Sequence, residues 1–173
     1  MNLARLLILL SAGMPLSAAT ETAAAAPQGS ASPVAASARV ARPITMSWLS
    51  DLDFAALTVT SAGTATINPD TDMMTATGGV RRVAGVPSAA HFQVAAARAA
   101  LIVVRLPNSP VTLTRTGGAG TMTVSNWTLD GSSLRIVPAD SVLDMAVGGR
   151  LNVNAGQPEG VHIGQFNVQV DYF

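Results

Sequence analysis

From residue 54 onward, apolar and polar positions alternate along this chain. Leu57-Thr58-Val59-Thr60 alternates, and so does Thr64-Ala65-Thr66-Ile67, which stops at Asn68-Pro69-Asp70. Successive side chains of a strand point to opposite faces, so period two marks a strand with one buried face. His91-Phe92-Gln93-Val94 repeats the pattern. Leu101 to Leu106 is apolar throughout except for Arg105, which predicts a central strand buried on both faces. Val111-Thr112-Leu113-Thr114, Thr121 to Thr128, Leu134 to Val137 and Val147 to Val153 continue the series, the last bending at Gly148 and Gly149. The cleanest run is Gly164 to Phe173: Phe166, Val168, Val170 and Tyr172 on one face, Gln165, Asn167, Gln169 and Asp171 on the other.

Turn residues separate these runs. Gly78-Gly79, Gly85, Pro107-Asn108-Ser109-Pro110 and Gly117-Gly118-Ala119-Gly120 are the main breaks. Ala89 to Ala100 is Ala-rich and long enough for a helix, but Phe92 and Val94 at period two predict a strand. Short strands at regular spacing with Gly and Pro turns predict an all-β, antiparallel, Ig-like β-sandwich.

The start of the chain reads differently. Arg5 supplies a positive end, Leu6 to Leu10 an apolar stretch, and Pro15 breaks it before Ser17-Ala18-Ala19. This is the layout of a secretory signal peptide over residues 1–19, cleaved before Thr20, with the Ala run at 23–26 as alternative sites. A membrane anchor is the competing reading, but the apolar stretch is too short to span ~30 Å of hydrocarbon. Residues 20–37, rich in Ala, Ser and Pro, read as a flexible leader, and 38–173 as the sandwich domain. No later segment approaches a transmembrane helix. The expected location is the periplasm, the cell surface or the medium.

Composition adds constraints. The chain has 173 residues, enough for one domain with a real core. It has no cysteine, so stability rests on core and ladders, and thiol chemistry is excluded. Its ten basic residues are all Arg and balance ten acids, leaving no electrostatic footprint for nucleic acid.

Candidate chemistry is thin. His91 and His162 are isolated in sequence from other titratable groups, and His91 reads as a surface imidazole beside Phe92. No Gly-x-Ser-x-Gly elbow occurs. Asp70-Thr71-Asp72 lacks the Gly and the bidentate Glu of a calcium loop and reads as a hairpin turn with Asx hydrogen bonds. Asp51-Leu52-Asp53 reads as a solvated strand entry. Gly117 to Gly120 precedes a strand rather than a helix, which argues against a phosphate loop. Asn126-Trp127-Thr128 fits a glycosylation acceptor, and Trp48 and Trp127 are of a kind that stacks on sugars, although packing is their commoner use.

Four stretches carry a resemblance. Asp51-Leu52-Asp53-Phe54, Phe92-x-Val94, Val147-Gly148-Gly149-x-Leu151-x-Val153 and Gly160-x-His162-x-Gly164-x-Phe166-x-Val168-x-Val170-x-Tyr172 together resemble the bacterial domain of unknown function 4402. That family consists of exported β-sandwich proteins, and the likeness covers about residues 38–173. The chain departs from it at Ala55, His162 and Ala95-Ala96. The family in turn is similar to spore-coat-U type proteins and chaperone–usher pilins, whose subunits carry a penultimate aromatic and a Gly about fourteen residues from the end. Tyr172 and Gly160 match those positions.

The resemblance implies a pilin-like structural or adhesive subunit, assembled by β-strand exchange. Its assembly strand would comprise Gly160, Phe166, Val168, Val170, Tyr172 and Phe173. Val40, Ile44 and Met46 would form either a donor strand for a neighbour or the chain's own edge strand. Partners would be copies of itself or related subunits, with a periplasmic chaperone and an outer-membrane usher. No cofactor is implied. The alternative function is a monomeric periplasmic or surface module binding a glycan or a protein. An enzyme is not expected, because no set of residues forms an active-site pattern.

Overall fold

The computed structural model describes residues 37, 38, 40, 42–138, 140 and 142–173. The expected signal peptide, and the leader apart from Ser37, lie outside the described residues.

Among the described residues every regular element is a strand. They are β1 (Thr45–Ser50), β2 (Ala56–Ile67), β3 (Met74–Ala84), β4 (Ala90–Ala95), β5 (Leu101–Arg105) and β6 (Val111–Arg115). Then come β7 (Thr121–Leu129), β8 (Leu134–Ile136), β9 (Val142–Val153), β10 (His162–Ile163) and β11 (Gln169–Tyr172). Within the Ala-rich stretch, Ala90–Ala95 is the strand β4, as its period predicts, and residues 96–100 form a turn. All the strand pairings are antiparallel. The larger sheet runs β1-β4-β9-β7-β6-β10, with β2 also on β9 and β3 on β2; the smaller runs β11-β5-β8.

β9 organises the larger sheet. Its first half pairs with β4 through Val142–Val147, and its second half with β2 through Gly149–Val153. Along its other side, residues up to Asn152 pair with β7. Met145 to Gly149 is a continuous buried run at this junction. β9 passes through Gly148 and Gly149 as an unbroken strand, and the irregularity falls on β7 instead. There Ser125 faces Arg150 and Thr128 faces Gly148, so Asn126 and Trp127 together oppose Gly149. This two-against-one bulge re-aims a side chain. The Trp127 ring lies 3.3 Å from where a Cβ on Gly149 would stand, a closeness that only glycine permits without displacement.

Two buried clusters result. Under the smaller sheet, Val94, Ile102, Val104, Val137, Met145 and Val147 pack together. Beside it, Phe54, Ile67, Val80, Val124, Leu151 and Val153 form the second cluster. Leu52 and Trp127 touch both.

Three expectations are corrected. Only Gln169–Tyr172 of the terminal run is a strand, paired with β5. Gly164 to Val168 lies outside any ladder, although its burial still alternates. The ladder stops because β5 ends at Arg105 and gives way to a turn, where Pro107 has no N–H to offer. Second, β5 is central in its sheet but buried on one face: Ile102 and Val104 are buried while Leu101 and Val103 are half-buried. The smaller sheet is an outer layer, and among the described residues no strand packs on its far side. Third, β3 runs unbroken through Gly78-Gly79, and the break in register falls on β2 between Val59 and Gly63.

Candidate functional site

The smaller sheet covers only part of the larger one. Beside the covered part, β6, β7 and the end of β9 aim Val111, Leu113, Met122, Val124 and Leu151 into a groove of about 800 Å³. These residues alternate with Thr112, Thr123 and Asn152, which is why one face of these strands is apolar. Trp127 and Phe166 close one end, stacked with centroids 4.5 Å apart and rings inclined by 32°. The Trp127 Nε1 donates to the Ser109 carbonyl at 3.3 Å, so its polar tip is satisfied at the rim.

Among the described residues, both walls carry unpaired backbone. One wall is Leu52 to Val59. Ala56 to Val59 pair with β3 on one side, but β2 meets β9 only from Gly63 onward. The opposite wall includes the 157–162 loop, Gly164 and Phe166. Gly164 to Val168 has no ladder partner among the described residues. Gly164 crosses β6 so closely that a Cβ would stand 2.7 Å from the Leu113 side chain. An apolar floor between two unpaired backbone borders suits an extended segment, with ladder bonds to a border and every second side chain on the floor.

His162, Gln157 and Arg115 around the groove are already engaged. The His162 Nδ1 donates to the Gly160 carbonyl at 3.1 Å, which leaves Nε2 to accept from the Gln157 amide at 3.0 Å. Arg115 Nε donates to the Glu159 carbonyl at 2.5 Å and holds the same loop. Among the described residues no buried side-chain polar atom lacks a partner, and no three His, Asp or Glu side chains gather as a metal site would require.

The strongest titratable pair lies elsewhere. Asp72 Oδ1 accepts from the Ala89 N–H at 2.8 Å and from His91 Nε2 at 3.0 Å. Partial burial pushes the Asp72 carboxyl upward, but these two hydrogen bonds and the His91 charge outweigh it and hold the group below its ordinary 3.8. His91 is therefore half-buried and partnered, where an isolated surface imidazole was expected. Asp72 has a positive φ of 57°, set by the turn in which its N–H donates to the Asn68 carbonyl. The expected Asx bond is present in that turn, from the Asp70 N–H to Asn68 Oδ1 at 2.8 Å. The pair fastens the β2–β3 turn to β4.

The residues singled out for assembly are dispersed. Gly160 sits in the rim loop against Arg115, and Phe166 at the end of the groove. Val168 is buried in the core under the smaller sheet, and Val170 pairs with Val104. Tyr172 is tied within the chain: its hydroxyl donates to the Arg42 carbonyl at 2.5 Å and accepts from the Ala97 N–H at 3.0 Å. Phe173 is exposed while its N–H donates to the Leu101 carbonyl at 3.0 Å. Val40 is 96% exposed, Ile44 packs on the core, and Met46 lies in β1 opposite Val94. β1 thus pairs as the chain's own edge strand.

The groove floor was not anticipated. The alternation of Val111 to Leu113 and of Met122 to Val124 gives an apolar face, but period two cannot tell a covered face from an open one. The His91–Asp72 contact spans 19 positions and leaves no local signal either.

No curated protein and no solved structure matches this chain. A family model described as domain of unknown function, DUF4402, matches residues 44–172, the stretch holding all eleven strands and the groove. The chain belongs to the DUF4402 family.

Proposed function

We propose that this protein is an exported, pilin-like structural or adhesive subunit of the cell surface, assembled by β-strand exchange. The observation that carries the reading is the groove: apolar floor, unpaired backbone at Ala56–Val59 and at Gly164–Val168. A strand from a neighbouring subunit, or from an assembly chaperone before it, would satisfy both. β1 pairs with β4 within the chain, so in this reading the filling strand comes from outside β1. The test is gel electrophoresis of the purified full chain with and without heating. SDS-resistant multimers that dissociate on heating are expected, and Leu113→Arg should abolish them while circular dichroism stays that of a folded β protein. A chain that stays monomeric at every concentration and refolds reversibly alone would overturn the reading.

A second reading, a monomeric module binding a glycan, draws on Trp48, which is 61% exposed. It expects tryptophan fluorescence to respond to added glycans, and a flat response across a glycan panel would remove it.

A further inference from the structure

β1 is an edge strand whose first four residues, Thr45 to Trp48, lack the usual protection. Open edges present a row of unpaired N–H and C=O groups, and proteins guard them with charged side chains, proline or burial under a loop. Thr45-Met46-Ser47-Trp48-Leu49-Ser50 holds no charge and no proline. One side of it pairs with β4, and no strand among the described residues takes the other. Met46, Trp48 and Leu49 are 41%, 61% and 55% exposed. The one irregularity is a register shift between Trp48 and Ser50, which leaves Thr45 to Trp48 as a regular edge.

We infer that β1 is a self-pairing edge, joining two copies of this chain antiparallel, β1 to β1, about a two-fold axis at Ser47. In a continuous antiparallel sheet, directly opposed residues share a face. With Ser47 opposite Ser47, Met46 of each copy then stands opposite Trp48 of the other. That gives two cross-strand sulfur–aromatic contacts on one face. The contact is isologous and closes on itself.

Charge complementarity fixes the register. Arg42 and Asp51 flank β1 at its two ends, and both are exposed. Among the described residues neither has an ion-pair partner. Counting the extra residue that the shift inserts between Trp48 and Ser50, pairing centred on Ser47 sets residue 44 of one copy level with Asp51 of the other. Arg42 of each copy is then two positions on from the residue level with Asp51 of the other, a diagonal spacing that a long side chain spans, twice over by symmetry. β1 does not line the groove, so this contact stands apart from strand exchange there.

The native chain has no cysteine, which makes a clean test available. Opposed residues across an antiparallel pair have Cα atoms about 4.5–5.5 Å apart, within the reach of a disulfide. The full chain carrying Ser47→Cys should therefore form one disulfide-linked dimer in a mild glutathione buffer. Thr71→Cys, exposed in the β2–β3 turn, should stay monomeric under the same conditions. In the Ser47→Cys background, Trp48→Lys should lower the cross-linking rate at least tenfold. Arg42→Asp should lower it several-fold, and adding Asp51→Arg should restore it. Should Trp48→Lys fail to fold, the charge-reversal pair still decides, because both side chains are exposed. Equal cross-linking of Ser47→Cys and Thr71→Cys would overturn the proposal, and so would a rate indifferent to charge reversal. Groove-dependent multimers are scored separately with Leu113→Arg, so either idea can fail alone.

Discussion

The larger sheet has two halves built from the same kind of strand and finished differently. Around β4 and the first half of β9, the smaller sheet lies across the apolar face and buries Val94, Met145 and Val147. Around β6 and β7, the apolar face of the same sheet meets the groove, and Val111, Leu113 and Met122 stay half-buried. The alternation in sequence is as good in the second half as in the first. Burial therefore follows the reach of the second layer, and the second layer stops where Pro107 ends β5.

Deleting one side chain in each half should measure this contrast. Ile102→Ala, at 0% exposure, should cost about 2–5 kcal/mol of unfolding free energy in a urea titration. Leu113→Ala should cost under about 1 kcal/mol in the unassembled chain, because its side chain already meets solvent and little packing is lost. Equal costs would mean the groove closes in solution.

Between these lies the tie at the covered end. Tyr172→Phe keeps the ring and removes both hydrogen bonds of the hydroxyl. About 0.5–1.5 kcal/mol per bond should be lost, with faster amide exchange at Ala97 as the site-specific sign.

The smallest effect belongs to Asp72. Its carboxyl titrates below 3.8 in the folded chain, so the unfolded chain takes up the proton first as pH falls. The stabilisation is whole above about pH 4 and fades as pH drops through the lower folded value. Asp72→Asn should flatten the acid limb of a pH–stability curve below about pH 4, the two half-exposed side chains keeping the effect small.

Strand positions were legible because each depends on local period. β2, β4, β6 and β7 fall where alternation puts them, and Asn68-Pro69-Asp70 makes the turn its composition predicts. What escaped was relational. Gly164 to Val168 alternates as cleanly as β11, yet only β11 has a partner strand, because the pairing is decided 60 and more residues away, at the end of β5. The His91–Asp72 pair and the use of the Tyr172 hydroxyl are equally non-local. Gly148 and Gly149 announced irregularity correctly but on the wrong strand, since the bulge they accommodate belongs to β7.

The Tyr172 hydroxyl reaches the Arg42 carbonyl across 130 positions of chain. β11, the last element, completes the smaller sheet against β5, and Phe173 adds one more bond to Leu101. Closing such long loops costs chain entropy before any contact repays it, and topologies of this kind fold slowly. β5 and β8 close part of the covered core early, but Val168 and β11 join it only after every other strand of the domain. Completion of the covered core therefore waits on contacts between segments far apart in the domain rather than on the growth of its first hairpin.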